Sequence, residues 1–137
     1  MSGFVVVDAD FLSSFLKIGR LRLVVQFYQV NEVVIAPAVY REVAQTTLLP
    51  VLSALTWVRI EAPPAAAAQR LRRQVEYSQL GAGEQESIAL TVDRADAVLL
   101  CSDNRARRFA QGLGIEVPTG SLVAHASAIS CSLRTSP

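Results

Sequence analysis

Six carboxylates of this 137-residue chain fall where they could act together. Asp8 and Asp10 follow the apolar run FVVV at 4–7. Glu42 lies a few residues beyond a second apolar run, VVIA at 33–36. Glu84 and Glu86 follow Gly81-Ala82-Gly83, and Asp103 closes the segment AVLLCSD. Clustered carboxylates left unpaired repel one another and resist ionisation. A bound Mg²⁺ or Mn²⁺ removes the conflict, because hard divalent cations take carboxylate and water oxygens. An acidic cation site in turn suits phosphoryl chemistry, in which the cation stabilises charge on a phosphate and lowers the pKa of an attacking water.

Each acid also has a plainer use. Asp8 and Asp10 are good helix N-caps. Glu42 alone would be a solvated helix residue, although its neighbours Val39, Tyr40 and Val43 suggest a partly buried position. Glu84 and Glu86 could simply favour the start of a helix through its dipole. Two residues apart on a helix, they point about 200° away from each other and should not share one ion. Glu84 shares a stripe with Ile88 and Val92 and is the expected ligand. Glu86, on the stripe of Leu90 and Asp93, is kept as the alternative. Asp93 and Asp96 read as solvated turn residues.

The elements that must position these groups alternate. Short apolar runs at 4–7, 33–36, 57–60, 97–101 and 115–117 read as buried strands of a parallel sheet. Between them, helical spacing is seen at 11–18, 21–28, 37–45, near 48–55, 65–77, 84–94 and 104–112, with Pro37 suited to a first helical turn. Residues 81–83 read as a glycine turn. This alternation implies a single α/β domain around a mostly parallel sheet. In such a sheet ligands gather beyond the carboxyl ends of the strands, where Asp8 and Asp103 fall and where the helices carrying Glu42 and Glu84 begin.

Composition bounds the partners. Thirteen Lys+Arg against 12 Asp+Glu give net +1, which excludes a domain working by bulk positive charge. A nucleic-acid ligand would need local charge, and Arg105, Arg107 and Arg108 supply it one turn beyond Asp103. Arg70, Arg72 and Arg73 form a second cluster, for which a solvated face is the simpler reading. Twelve of the 13 cations are Arg, which suits bidentate phosphate binding. No run reaches the ~20 apolar residues of a membrane span, and the start MSGFVVVDAD lacks a signal peptide's pattern, so a cytoplasmic location is expected, with Cys101 and Cys131 reduced. His125 reads as surface or packing. Residues 1–126 read as the domain and 127–137 as a loosely held tail.

The segments VVVDADFLSSFLKIG, VIAPAVYREV, LGAGEQESIAL and AVLLCSDNRARRFAQGLGIEV, in that order, resemble successive motifs of the PIN domain, over residues 4 to about 123. PIN domains are small metal-dependent ribonucleases, many of them toxins of toxin–antitoxin pairs. The resemblance implies a doubly wound sheet of order 3-2-1-4-5 flanked by helices. It implies an Mg²⁺- or Mn²⁺-dependent endoribonuclease in which Asp8, Glu42, Glu84 and Asp103 hold the metal and carry catalysis, with Glu86 as the alternative third acid. Asp10 and Ser102 would support them, Ser102 by assisting the attacking water, and Arg105, Arg107 and Arg108 would bind RNA. A homodimer and a cognate antitoxin are the implied protein partners. The final segment, VPTGSLVAHASAIS, departs from the family pattern. Two rivals remain at this point. VVVDADFL also looks like the opening motif of haloacid-dehalogenase-type phosphatases, which need a later Lys that only Lys17 could supply. A PIN-like domain could also bind RNA or protein without cutting.

Overall fold

The computed structural model describes residues 3–118. Four parallel strands form one sheet in the order β3-β2-β1-β4: β1 Phe4–Val7, β2 Val33–Ile35, β3 Val58–Ile60 and β4 Ala97–Leu100. The registers pair Val6 with Val34, Val5 with Val98 and Val34 with Arg59. β1 and β4 are buried at every position, as strands covered by helices on both faces must be. β3 is the edge strand, and its residues are half-buried or exposed.

Helices fill the crossovers: α1 Ala9–Lys17 and α2 Arg22–Tyr28 between β1 and β2, and α3 Pro37–Ala44 and α4 Leu49–Ser53 between β2 and β3. Then come α5 Ala65–Leu71, α6 Val75–Ser78 and α7 Ala82–Thr91 before β4, and α8 Asn104–Gly112 after it. Val5, Val6, Val7, Leu12, Ile35, Val39, Ile88 and Leu99 are all at most 1 % exposed and make up the centre of the core. The expected α/β sheet is therefore present, and β1 lies where the winding reverses.

Three expectations need correction. The fifth strand is a single parallel bridge, Glu116 to Val98, closed by the Leu99 N–H to the Glu116 carbonyl at 2.9 Å. The helix expected over 65–77 is two helices, because Gln74 is extended (φ −96°, ψ 129°). A continuous helix would set Leu71 and Tyr77 about 240° apart, and the break lets both be buried, at 1 % and 2 % exposure. The glycine turn is shorter than expected, since α7 starts at Ala82 and Gly83 lies in its first turn. There Gly83 allows close approach: a Cβ would meet Val39 Cγ2 at 3.2 Å.

Candidate acidic site at the carboxyl edge of the sheet

β1 and β4 run side by side, and the Asp8 N–H bonds the Leu100 carbonyl at 3.0 Å. The chain leaves both strands at the same point, so Asp8 and Asp103 emerge together at the topological switch point. Each is also a helix N-cap. Asp8 Oδ1 accepts from the Phe11 N–H at 2.8 Å, and Asp103 Oδ2 from the Ala106 N–H at 2.9 Å. Capping thus fixes one oxygen of each carboxylate and orients the other.

Beside them is a hollow of about 150 Å³, lined by Asp8, Asp10, Glu42, Glu84 and the backbone of 81–83. Four of the six expected carboxylates meet there. Asp103 does not line it, but its charge acts on Glu84. Glu42 is exposed rather than partly buried as expected. α3 carries it to the hollow because α3 packs tightly on α7 at Gly83, where Glu42 Oε1 lies 3.9 Å from the place a Cβ would occupy. Asp10 is exposed at the same opening.

Asp8 is 2 % exposed. Burial raises its pKa above the ordinary carboxylate value, and the Asp10 charge adds to the rise. The Phe11 N–H, the Cys101 thiol and the Ser102 N–H oppose it. Burial likewise raises the pKa of Glu84, against the Gly81 N–H, and the charges of Asp103, Asp8 and Asp10 raise it further. These acids share one field, and among the described residues no cation acts to lower either value, which is the conflict expected of an anionic cluster.

Glu84 and Glu86 separate as their helical positions required. Glu84 Oε1 takes the Gly81 N–H at 3.0 Å, half of a capping box, and still faces the hollow. Glu86 turns to α3, where Oε1 accepts the Ala38 N–H at 2.9 Å and Oε2 lies 3.8 Å from Arg41. It thereby caps a helix whose own N-cap, Ala36, has no capping side chain.

The supporting residues are close by. The Ser102 N–H lies 3.4 Å from Asp8 Oδ2, and Ser102 itself is exposed. Cys101 was not expected at the site. Its buried thiol hydrogen-bonds Asp8 and lies 3.8 Å from the Asp103 carbonyl oxygen, and burial together with the Asp8 charge pushes its pKa far up. The only sequence signal for it was its place two residues before Asp103. Arg105 bonds Gln79 Oε1 at 3.3 Å, Arg107 bonds Asn104 Oδ1, and Arg108 is exposed. Lys17 is in the last turn of α1, about 13 Å along the helix from Asp8, so it is poorly placed for a phosphatase role. His125, Cys131 and the segment 127–137 lie outside the described residues.

Among the described residues, no group of three or more His, Cys, Asp or Glu side chains is drawn together closely enough to form a metal cage. The donor set still fits a hard divalent cation. It offers only carboxylate oxygens around an open hollow, and Mg²⁺ is ordinarily held by one or two carboxylates with waters and substrate phosphate completing the shell. Among the described residues, no helix is long and apolar enough to cross a membrane. A family model described as a PIN domain matches residues 4–126. No curated protein matches the chain.

Proposed function

The chain belongs to the PIN-domain family, a nuclease-type fold, and from that premise we propose that it is a divalent-cation-dependent endoribonuclease of the cytoplasm. The observation that carries the reading is the hollow where Asp8, Asp10, Glu42 and Glu84 meet at the switch point of the sheet. Asp8, Glu42 and Glu84, with Asp103 beside Glu84, would hold one or two Mg²⁺ or Mn²⁺ ions. When bound, the cation would offset the charge of the scissile phosphate and make an attacking water more acidic.

The chain's own groups supply the rest. The α1 N-terminus and the Ser102 N–H hold the Asp8 carboxylate in one orientation. Asp10, at the opening, adds negative charge that favours cation entry. The Ser102 hydroxyl orients the attacking water, and Arg105, Arg107 and Arg108 contact backbone phosphates of the RNA. Hydrolysis in line leaves no covalent enzyme intermediate. Glu84 is preferred to Glu86 as third acid because Glu86 is engaged by Ala38 and Arg41.

Self-association, and neutralisation by an antitoxin if the chain is a toxin, belong to the same reading. Exposed Ile18 and Val51, beside an apolar hollow of about 280 Å³ that includes Trp57 and Leu55, support a protein-binding face. The decisive test is cleavage of single-stranded RNA by wild type and Asp8→Asn, with Mn²⁺ and with EDTA. Wild type should cut only with Mn²⁺, and a folded Asp8→Asn chain should lose cleavage by about 10²-fold or more. Full cleavage by Asp8→Asn in EDTA would overturn the reading.

A further inference from the structure

A second and larger hollow, about 420 Å³, lies between α6 and α8. Gln74, Glu76 and Gln79 form one wall, and Arg105, Arg108 and Phe109 the other. It begins beside the acidic site. Gln79 is two residues before Gly81, Arg105 is two residues after Asp103, and the Arg105–Gln79 hydrogen bond joins the two walls.

Its two arginines are not tied up in ion pairs. Arg41, Arg59, Arg70 and Arg94 each pair with a carboxylate. Among the described residues, Arg105 and Arg108 make no ion pair, so two guanidinium groups face the cavity, with the Glu76 carboxylate on its other wall. Phe109 is half-buried and set against Tyr77, with ring centroids 5.9 Å apart. Tyr77 is itself fixed, since its hydroxyl donates to the Gln85 carbonyl at 2.6 Å while Gln85 Nε2 donates back to the Tyr77 carbonyl at 3.0 Å. The aromatic wall is therefore held from behind.

The geometry points to this hollow as a base-reading subsite for one unpaired nucleotide flanking the scissile phosphate, an inference that rests on the nuclease reading above. Ligand pockets start at about 300 Å³, so the volume suits one nucleotide and excludes a duplex. Arg105 and Arg108 meet the phosphate, with the planar, bidentate geometry that guanidinium offers. The base lies against Phe109, as bases of single-stranded RNA stack on aromatic side chains. Glu76, an acceptor only, takes an N–H from the base edge, and the Gln74 and Gln79 amides can both donate and accept. A carboxylate on the reading wall favours a base with an exocyclic amino group over uracil.

The test separates binding from cutting. Anisotropy of labelled single-stranded RNA hexamers is measured on the Asp8→Asn chain, alone and with Arg108→Ala or Arg73→Ala added. Arg73 is exposed, does not line the hollow, and serves as the control. Circular dichroism confirms that each variant folds. Arg108→Ala should weaken binding by about tenfold and Arg73→Ala by less than about twofold. On the cutting chain, Glu76→Gln should shrink the preference for an amino-bearing base over uracil at one position beside the cut. Equal binding by the Arg108→Ala and Arg73→Ala chains, or an unchanged preference with Glu76→Gln, overturns the subsite. Were wild type to cut no RNA while Arg108→Ala still lost hexamer binding, the nuclease reading would fail and the binding site would stand. Were cutting to depend on Asp8 while Arg108 and Glu76 proved neutral, the acidic nuclease site would stand without the subsite and without the Arg108 phosphate contact.

Discussion

Carboxylates occur in two settings in this domain. At the β3 edge, Arg59 lies between Glu32 and Glu61, with Nε 2.7 Å from Glu32 and Nη1 bonded to Glu61. Arg70 meets Asp93 at 2.7 Å, and Arg94 lies 3.7 Å from Asp96. These acids are solvated and matched. At the carboxyl edge of the sheet, Asp8, Asp10, Glu42 and Glu84 converge on one hollow, and the arginines nearest in sequence to Asp103 point to a neighbouring groove or to Asn104. Here burial and the neighbouring carboxylates raise the pKa values of Asp8 and Glu84. The same residue types, in a chain of net charge +1, are paired with arginines on the surface and left in conflict at the carboxyl edge of the sheet. Under the proposed function, a bound divalent cation would resolve that conflict.

The largest break in this contrast should come from the third acid. Glu84→Gln should lower RNA cleavage by about 10²-fold. Glu86→Gln keeps an oxygen for the Ala38 N–H, loses only a long pair with the exposed Arg41, and should stay within about threefold of wild type. Measured kcat/KM in the reverse order would move the site to the α3-facing side of α7.

Stability should respond in the opposite sense. Asn caps a helix about as well as Asp, so Asp8→Asn removes a buried charge without removing the cap. Without metal at neutral pH it should be more stable than wild type in urea unfolding. The folded carboxyls of Asp8 and Glu84 titrate above their unfolded values, so the folded state holds those protons more tightly. Their destabilising effect is present above the folded values. It is relieved as pH falls through them and is gone below the unfolded values of about 4. The stability gap between Asp8→Asn and wild type should therefore narrow on acidification. A gap independent of pH would remove Asp8 from the conflict. At the matched edge, where Arg59 is 45 % exposed, Arg59→Ala should cost less than about 1 kcal/mol. A larger loss would erase the distinction between the regions.

Much of the acidic site could be read from residue order. Asp8 and Asp103 directly follow apolar runs, and in a parallel sheet that alone fixes which edge they reach. Glu84 and Glu86 separated as 100° per residue requires. Other features were hidden because they depend on contacts distant in sequence. The close approach of α3 to α7 is set by Gly83 against Val39, and it brings an exposed Glu42 to the hollow. The thiol of Cys101 reaches Asp8 only once β1 and β4 are paired. The break at Gln74, which shapes the wall of the second groove, follows from the need to bury both Leu71 and Tyr77 and leaves no Gly or Pro marker in the sequence. The last strand was read from an apolar run that holds only one bridge.

The claim that the unpaired acids exist to hold a cation is tested most directly by calorimetric titration of Mn²⁺ into the metal-free wild-type and Asp8→Asn chains at neutral pH. Binding by wild type and its loss in the folded Asp8→Asn chain is the expected result. Equal Mn²⁺ binding by the two chains, or none by wild type, would contradict it.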